Sequence, residues 1–155
     1  MTLSILFVCL GNICRSPLAE AAMRRQAMDA GLEIEVDSAG TGDWHVGSPP
    51  DRRAVAVAGR HGIDISAMRA RQVSPEDFAR FDHIVALDRD NLVALETMRP
   101  PGSSAHLSLL LDYVKGREGE PVLDPYYGGK EHFDQTWADV WSGTDALTRT
   151  LIGME

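Results

Sequence analysis

Short apolar runs alternate along the chain with longer segments in which apolar residues recur every three or four positions. Short apolar runs that stop at a turn are typical of buried strands, and the longer period is that of an amphipathic helix. The pattern predicts strands over residues 3–8, 34–36, 83–87 and 107–111, and helices over residues 18–30, 51–59, 91–98 and 132–151. This alternation of strands and helices favours an α/β fold in which a parallel sheet is covered on both faces.

Local signals mark where several of these elements begin and end. Ser16 is a favoured N-cap, and Pro17 fits the first turn of a helix, where its missing N–H would have no partner. Residues 38–42 are predicted as a turn, and residues 118–130, rich in glycine and proline, as a loop. In the last helix, Trp137 and Trp141 fall on the apolar stripe and are predicted to be core residues.

Both cysteines of the chain lie in residues 8–17, directly after the first predicted strand. Ligands of open α/β sheets bind beyond the carboxyl ends of the strands, so a site is expected here. A loop that enters a helix points N–H groups at one place, and Arg15 adds a planar fork that matches phosphate oxygens. These groups favour the thiolate of Cys9, which is the form that attacks. The segment predicts phosphoryl transfer to sulfur, with Ser16 donating a hydrogen bond to Cys9.

Residues 9–17 resemble the phosphate-binding loop of the low-molecular-weight protein tyrosine phosphatases. The likeness spans nearly the whole chain, because further segments resemble family segments in the family order: residues 38–47, 69–72, 81–82 with Asp88 and Asn91, and 124–128. The resemblance implies a three-layer αβα fold with a four-stranded parallel sheet, a phosphate-binding loop between strand 1 and helix 1, and a single domain over residues 1–155. It also implies phosphotyrosine hydrolysis through a cysteinyl-phosphate, with no cofactor and no metal.

The resemblance assigns a role to each matching residue. Cys9 would be the nucleophile, Arg15 the phosphate clamp, and Asp124 the general acid that protonates the leaving phenolate and then the base that activates water. Residues expected to contact the substrate are Leu10, Gly11, Asn12, Ile13, Cys14, Ser16, Trp44, Tyr126 and Tyr127. Asn12 and Ser38 would hold the loop in shape by hydrogen bonds. Two interpretations of Cys14 remain open: simple core packing, or the family's reversible disulfide with Cys9.

One position departs from the family pattern. The family often has a histidine immediately before the segment that matches residues 69–72, and this chain has Met68 there. A thioether is at most a weak acceptor and donates nothing, so the hydrogen-bond network around the loop should differ from that of the family.

Three other functions compete with tyrosine phosphatase activity. Arsenate reductases of similar architecture use cysteines late in the chain, and no cysteine follows Cys14 here. Phosphoarginine phosphatases tend to have threonine at the position of Ile13, where an apolar β-branched residue suits an aryl phosphate better. A non-catalytic phosphate-binding or redox module would keep Arg15 and the loop without needing Asp124.

Composition limits the partners. A net charge of −8 over 155 residues disfavours nucleic acid. The chain shows neither a signal-peptide pattern nor a run long enough to cross a membrane, so a cytoplasmic protein with reduced thiols is expected. The five histidines lack metal-ligand spacing. The expected substrate is a phosphotyrosine protein, such as a tyrosine autokinase. Phosphate and other oxyanions are expected to bind in the loop. The protein is expected to be a monomer.

Overall fold

The computed structural model describes residues 2–153 as a four-stranded parallel sheet, in the order β2–β1–β3–β4, between two layers of helices. The strands are β1 (Leu3–Cys9), β2 (Ile34–Gly40), β3 (His83–Ala86) and β4 (His106–Leu109). The helices are α1 (Arg15–Ala30), α2 (Arg52–Arg60), α3 (Asp77–Arg80), α4 (Arg89–Met98) and α5 (Lys130–Gly153). The predicted αβα fold, with the loop between β1 and α1, is confirmed.

Strand β1 lies inside the sheet and is buried on both faces. Ile5 and Phe7 belong to the core that the sheet forms with α1, α2 and α5. Leu6 and Val8 belong to a second core that includes residues of α3 and α4. Successive side chains of a strand point to opposite faces, so the continuous apolar run is what a strand covered on both sides requires. The run delivers Cys9 to the carboxyl edge of the sheet.

Helix α1 begins earlier than its local signals predict. Its N-cap position is Cys14, and no side chain caps it. The prediction that Ser16 is the N-cap is wrong, because Ser16 lies within the first turn and its hydroxyl bonds to Cys9 and Asn12 instead. A helix start without a side-chain cap leaves its first N–H groups available to an anion.

Strand β2 extends to Gly40, through residues that the sequence predicts as a turn. Ser38 pairs in parallel register with Phe7, and Gly40 pairs with Cys9. Pairing with a buried central strand therefore overrides the local turn preference of serine and glycine. The consequence is that Ser38 and Gly40 lie directly beside the loop that follows β1.

The opposite edge of the sheet is shorter than predicted. Strand β4 ends at Leu109, and Leu110–Tyr113 form a 3-10 turn. Leu110 and Leu111 are buried against the helical layer of α1 and α5. They are apolar because they belong to this core, although they are not part of a strand. The four-residue helix α3 has no counterpart among the predicted elements, since a single turn is too short to show a period.

The two tryptophans of α5 have different environments. Trp137 is buried, as predicted, whereas 37% of Trp141 is exposed, so the prediction that it is a core residue is wrong. Positions four apart on a helix are rotated by about 40°, and this rotation carries Trp141 to the margin of the stripe, where it stacks on Trp137 at 5.7 Å. Over residues 2–153, none of the helices is both long enough and apolar enough to span a membrane.

The pair His83 and His106 should make stability depend on pH. The two residues face each other across β3 and β4, with ring centroids 5.5 Å apart. Nδ1 of His83 is buried and has no hydrogen-bond partner among the described residues. Burial, with a further contribution from His106, lowers the pKa of His83, while Asp82 opposes the shift. The unfolded chain then binds more protons than the folded one just below about pH 6.5, so stability falls as the pH drops through this range.

We therefore predict that the His83→Gln variant loses less stability on acidification than the parent protein. The measurement is the unfolding temperature of both proteins between about pH 7.5 and 5.5, a range that brackets the ordinary pKa of histidine. A variant whose unfolding temperature falls as steeply as that of the parent would contradict the assignment.

Candidate active site

The loop between β1 and α1 curls tightly because two positions allow it. Asn12 has a φ of 57°, in the left-handed region that asparagine tolerates better than most residues. Gly40 lies against the loop backbone: a Cβ there would stand 2.8 Å from the carbonyl oxygen of Leu10 and 3.2 Å from the amide nitrogen of Asn12. Only glycine permits this approach. Sequence reasoning missed this role of Gly40 because its partner lies on another strand.

A buried chain of hydrogen bonds fixes the shape of the loop. The amide nitrogen Nδ2 of Asn12 donates to Ser16 Oγ at 2.8 Å and to Ser38 Oγ at 3.0 Å. Its Oδ1 accepts from the backbone N–H of Arg71 at 3.0 Å. Ser38 Oγ in turn donates to Glu20 Oε1 at 2.7 Å. Asn12 and Ser38 are thus joined to Ser16 and Glu20 in one buried chain of hydrogen bonds.

The outer end of this chain is the Glu20 carboxyl group. Burial raises the pKa of Glu20, while the hydrogen bond from Ser38 and the charge of Arg24 oppose the shift. Arg24 Nη1 lies 2.5 Å from Glu20 Oε2 and provides the positive partner. Met68, the position that departs from the family pattern, lines a cavity of about 180 Å³ together with Glu20 and Asn12. The cation that pairs with the Glu20 carboxyl group is therefore Arg24, one helical turn further along α1, and Met68 adds only an apolar surface nearby.

The two thiols occupy different environments within the loop. Both are buried and free. Cys9 Sγ accepts a hydrogen bond from the backbone N–H of Asn12 at 3.3 Å and lies 3.0 Å from Ser16 Oγ. For Cys14, burial raises the thiol pKa far above its ordinary value, and the charges of Asp51, Cys9 and Asp124 raise it further. Cys14 is therefore a protonated thiol at neutral pH. Its proposed disulfide with Cys9 stays a prediction.

Arg15 is almost completely buried at the other side of the loop. Its Nη1 donates to Asp88 Oδ2 at 2.6 Å and to the carbonyl oxygen of Val122 at 3.0 Å. Its Nη2 lies 3.6 Å from Asp124 Oδ2. Burial by itself would lower the pKa of Arg15, but the negative groups of Cys9, Asp88 and Asp124 outweigh burial and raise it. The side chain is thus a permanent cation in the floor of the site.

Asp124 reaches this cation from a loop far along the sequence. The backbone N–H of Val122 donates to the carbonyl oxygen of Leu87 at 2.8 Å, which ties the loop to the end of β3. Asp124 Oδ1 accepts from the backbone N–H of Tyr126 at 3.1 Å. The carboxyl group itself is 44% exposed, so it faces the solvent side of the cleft.

These groups share one cleft of about 390 Å³. Its lining residues are Cys9, Leu10, Gly11, Ile13, Cys14, Arg15, Trp44, His45, Asp124, Tyr126 and Tyr127. The nucleophile, clamp and acid assigned from the sequence therefore lie together, with the aromatic residues at the rim. Asn12 and Ser16, which the sequence also predicts as substrate contacts, do not line the cleft; they are buried and make the supporting hydrogen bonds.

Sequence reasoning missed two further residues of this site besides Gly40. His45 lines the cleft, with its ring 6.4 Å from that of Tyr126, although the histidines were assigned no functional role. Its position directly after Trp44 was the available signal. Asp88 orients Arg15 and also caps α4 by accepting from the backbone N–H of Asn91 at 2.8 Å. The signal for this residue was an aspartate between a predicted strand and a predicted helix.

No group of three histidine, cysteine, aspartate or glutamate side chains within residues 2–153 is arranged to hold a metal ion. The positive charge that faces the cleft comes from Arg15 and from the N-terminal end of α1. Such a site binds a tetrahedral oxyanion between a thiol and a guanidinium.

The fold and the cleft define a class: α/β proteins with a cysteine at the base of an anion-binding loop, as in cysteine-dependent phosphatases. The family model described as low molecular weight phosphotyrosine protein phosphatase matches residues 4–153, and this chain belongs to that family.

Named relatives and solved structures agree with this family. The low molecular weight protein-tyrosine-phosphatase YfkJ of Bacillus subtilis is 43% identical over 151 residues, which cover 96% of each chain. The crystal structure of YfkJ has a TM-score of 0.92 at 41% identity and covers 100% of this chain and 98% of its own. A structure titled as a drosophila arginine phosphatase has a TM-score of 0.90 at 33% identity and covers 95% of this chain and 96% of its own.

The Gly40→Ala variant tests the close approach of β2 to the loop. The added Cβ would overlap the Leu10 carbonyl oxygen, so the loop must shift by part of an ångström. We predict a loss of kcat/KM for p-nitrophenyl phosphate of at least roughly tenfold, since misplacing reacting groups by about 1 Å costs on the order of 100-fold.

The matched control is Gly59→Ala in α2, where an added Cβ meets nothing within 4 Å. Because alanine is favoured over glycine inside a helix, this control should keep its activity and its stability. Equal activity of the two variants would show that the loop tolerates displacement by β2.

Proposed function

We propose that this protein hydrolyses phosphotyrosine in phosphoproteins through a cysteinyl-phosphate on Cys9. The observation that carries the proposal is the convergence of three groups in one cleft: the Cys9 thiol, the buried Arg15 guanidinium and the Asp124 carboxyl. A thiol can accept the phosphoryl group, a fixed cation can hold its oxygens, and an acid can protonate the leaving phenolate.

In the first step the Cys9 thiolate attacks phosphorus, and the bond from phosphorus to the phenolic oxygen breaks. The leaving oxygen takes a proton from Asp124, so tyrosine departs neutral. Arg15 and the N–H groups of the loop hold the three equatorial oxygens, over which the charge of the transition state is spread. Asp88 keeps Arg15 in place through its 2.6 Å hydrogen bond.

In the second step a water molecule attacks the phosphorus of the cysteinyl-phosphate. The ionised Asp124 takes a proton from this water, and the bond between phosphorus and sulfur breaks. Ser16 Oγ, 3.0 Å from the sulfur, donates a hydrogen bond that stabilises the departing thiolate. Inorganic phosphate then leaves, and both the thiolate and the protonated acid are restored.

The walls of the cleft favour an aromatic substrate. Tyr126 and Tyr127 meet edge to face at 5.0 Å, and Trp44 is 70% exposed, so these rings are available to a phosphotyrosine side chain. Ile13 adds an apolar, β-branched surface to the lining. A tyrosine autokinase is a substrate of fitting chemistry, and we place the activity in the cytoplasm, carried out by a monomer.

The alternative function is phosphoarginine hydrolysis, and the similarity to a drosophila arginine phosphatase supports testing it. A non-catalytic phosphate-binding or redox module is the second alternative. It would need Arg15 and the loop but gives no role to Asp124, whose placement beside Arg15 favours the enzyme.

The Cys9→Ser variant tests the covalent mechanism. A serine hydroxyl is a far weaker nucleophile than a thiolate, so we predict no measurable hydrolysis of p-nitrophenyl phosphate by the variant. Addition of EDTA should leave the turnover of the parent protein unchanged, because Arg15 supplies the positive charge. Turnover that survives in Cys9→Ser would remove Cys9 as the nucleophile, and an inactive, reduced parent protein would favour the non-catalytic module.

Substrate preference follows from the cleft walls. We predict that kcat/KM for a phosphotyrosine peptide exceeds that for the matched phosphoarginine peptide. The two peptides should be identical except at the phosphorylated residue, so that flanking contacts cancel. A preference for phosphoarginine would assign the protein to the alternative function, and replacing Ile13 by threonine should shift the ratio of the two rates toward phosphoarginine.

A further inference from the structure

Arg53, in the first turn of α2, spans two parts of the active site. Its Nη1 donates to the carbonyl oxygen of Gly128 at 2.9 Å, and its Nη2 donates to that of Tyr126 at 2.8 Å. Both carbonyls belong to residues 124–128, the loop that carries the proposed general acid. The same guanidinium donates through Nε and Nη2 to the two carboxylate oxygens of Asp51, at 3.0 and 2.9 Å.

Asp51 connects this guanidinium to the phosphate loop. Its backbone N–H donates to the carbonyl oxygen of Ile13 at 2.8 Å. Its carboxylate caps α2 by accepting from the backbone N–H of Arg53 at 2.8 Å. The guanidinium carbon also lies 4.6 Å from the ring centre of Phe133, a buried residue of α5. Asp51 and Phe133 therefore hold the Arg53 guanidinium in place, and its remaining N–H groups bind the loop of residues 124–128.

The acid loop has an arginine at each end. Arg15 binds the carbonyl oxygen of Val122 on one side of Asp124, and Arg53 binds that of Tyr126 on the other. Between these anchors the Asp124 carboxyl is 44% exposed, with its nearest cation, Arg15, at 3.6 Å. Because this carboxyl group is only partly packed, its position depends strongly on where the backbone of its loop is held.

We propose that Arg53 is a positioning residue for the general acid: by joining Asp51 to the carbonyls of Tyr126 and Gly128, it sets the distance between the phosphate loop and Asp124. The inference rests on the proposed role of Asp124. Arg53 itself is not among the residues that line the cleft. Its planar fork makes four hydrogen bonds to three partners in fixed directions, whereas lysine carries its three N–H donors on a single nitrogen.

The leaving group separates this role from a merely structural one. Expulsion of a strongly basic phenolate needs a proton in the transition state, whereas p-nitrophenolate leaves with little help. Displacing the acid by about 1 Å lowers the rate on the order of 100-fold, and it does so only for the step in which the acid donates its proton. Binding of inorganic phosphate depends on the phosphate loop and Arg15, so the affinity for phosphate should not change when the acid is displaced.

The experiment uses Arg53→Met, which keeps an apolar stem over Phe133, and the neighbouring Arg52→Met as the matched control. Arg52 is exposed and has no side-chain hydrogen bond among the described residues. For Arg53→Met we expect kcat/KM to fall roughly 10- to 100-fold for phenyl phosphate but less than about threefold for p-nitrophenyl phosphate. Inhibition by inorganic phosphate should stay within about twofold of the parent value. Arg52→Met should match the parent in all three measurements.

Two further variants complete the test. Asp124→Ala should show the same selective loss on phenyl phosphate, and adding Arg53→Met to it should cause little further loss, because the acid is already absent. Arg53→Lys should lie between the parent and Arg53→Met, and it provides the same comparison if the methionine variant fails to fold.

The outcomes distinguish the two proposals. If Asp124→Ala loses activity equally on both esters, the acid assignment fails and the inference fails with it. If Asp124→Ala is selective but the Arg53 variants lose activity equally on both esters, or lose affinity for phosphate, only the inference is overturned. A full additional loss in the double variant would also overturn it, since Arg53 would then act independently of the acid.

Discussion

The buried cation of Arg15 is the constraint on which the rest of the site depends. A guanidinium that is 3% exposed cannot remain unpaired, because removing a charge from water costs several kcal/mol unless partners compensate. Asp88 and the Val122 carbonyl oxygen satisfy one terminal nitrogen, and the other faces the cleft with Asp124 at 3.6 Å. Three chain segments distant in sequence are thereby joined at one point. The arrangement leaves one edge of the cation open to an incoming phosphate.

The sheet explains why these segments meet there. The carboxyl ends of parallel strands lie along one edge, so Cys9 at the end of β1, Gly40 at the end of β2 and Asp88 after β3 are neighbours. Gly40 lets the loop backbone approach β2, and the Asn12 side chain links the loop to Ser38 of β2 by a hydrogen bond. The short polar chain from Glu20 to Ser16 is fully hydrogen-bonded, which is the condition under which a buried polar network rigidifies a site.

What the sequence predicts well is local. The run that ends at Cys9, the polar loop after it and the proline in the first turn of α1 are contiguous, so the strand, the anion-binding loop and their order follow from the pattern itself. What it misses is set by contacts across the fold. Ser38 has turn propensity but pairs with Phe7, and the role of Gly40 depends on the Leu10 carbonyl oxygen. Arg53 and Asp88 look like ordinary helix-start residues, because the active-site groups that they bind lie 73 or more positions away.

The two cysteines of the phosphate loop have the same side chain but different hydrogen bonds and different neighbouring charges. Both are buried in one loop, five positions apart, yet Cys9 receives hydrogen bonds and faces Arg15, whereas Cys14 lies beside the negative charge of Asp51. Burial and that charge keep the proton on Cys14, and a protonated thiol neither attacks phosphorus nor competes for the oxyanion. Asp51 thus acts on the site twice: its charge adds to the effect of burial in raising the pKa of Cys14, and its carboxylate holds Arg53. A single residue at the start of α2 therefore contacts both the loop that holds the two thiols and the arginine that binds the carbonyl oxygens of Tyr126 and Gly128.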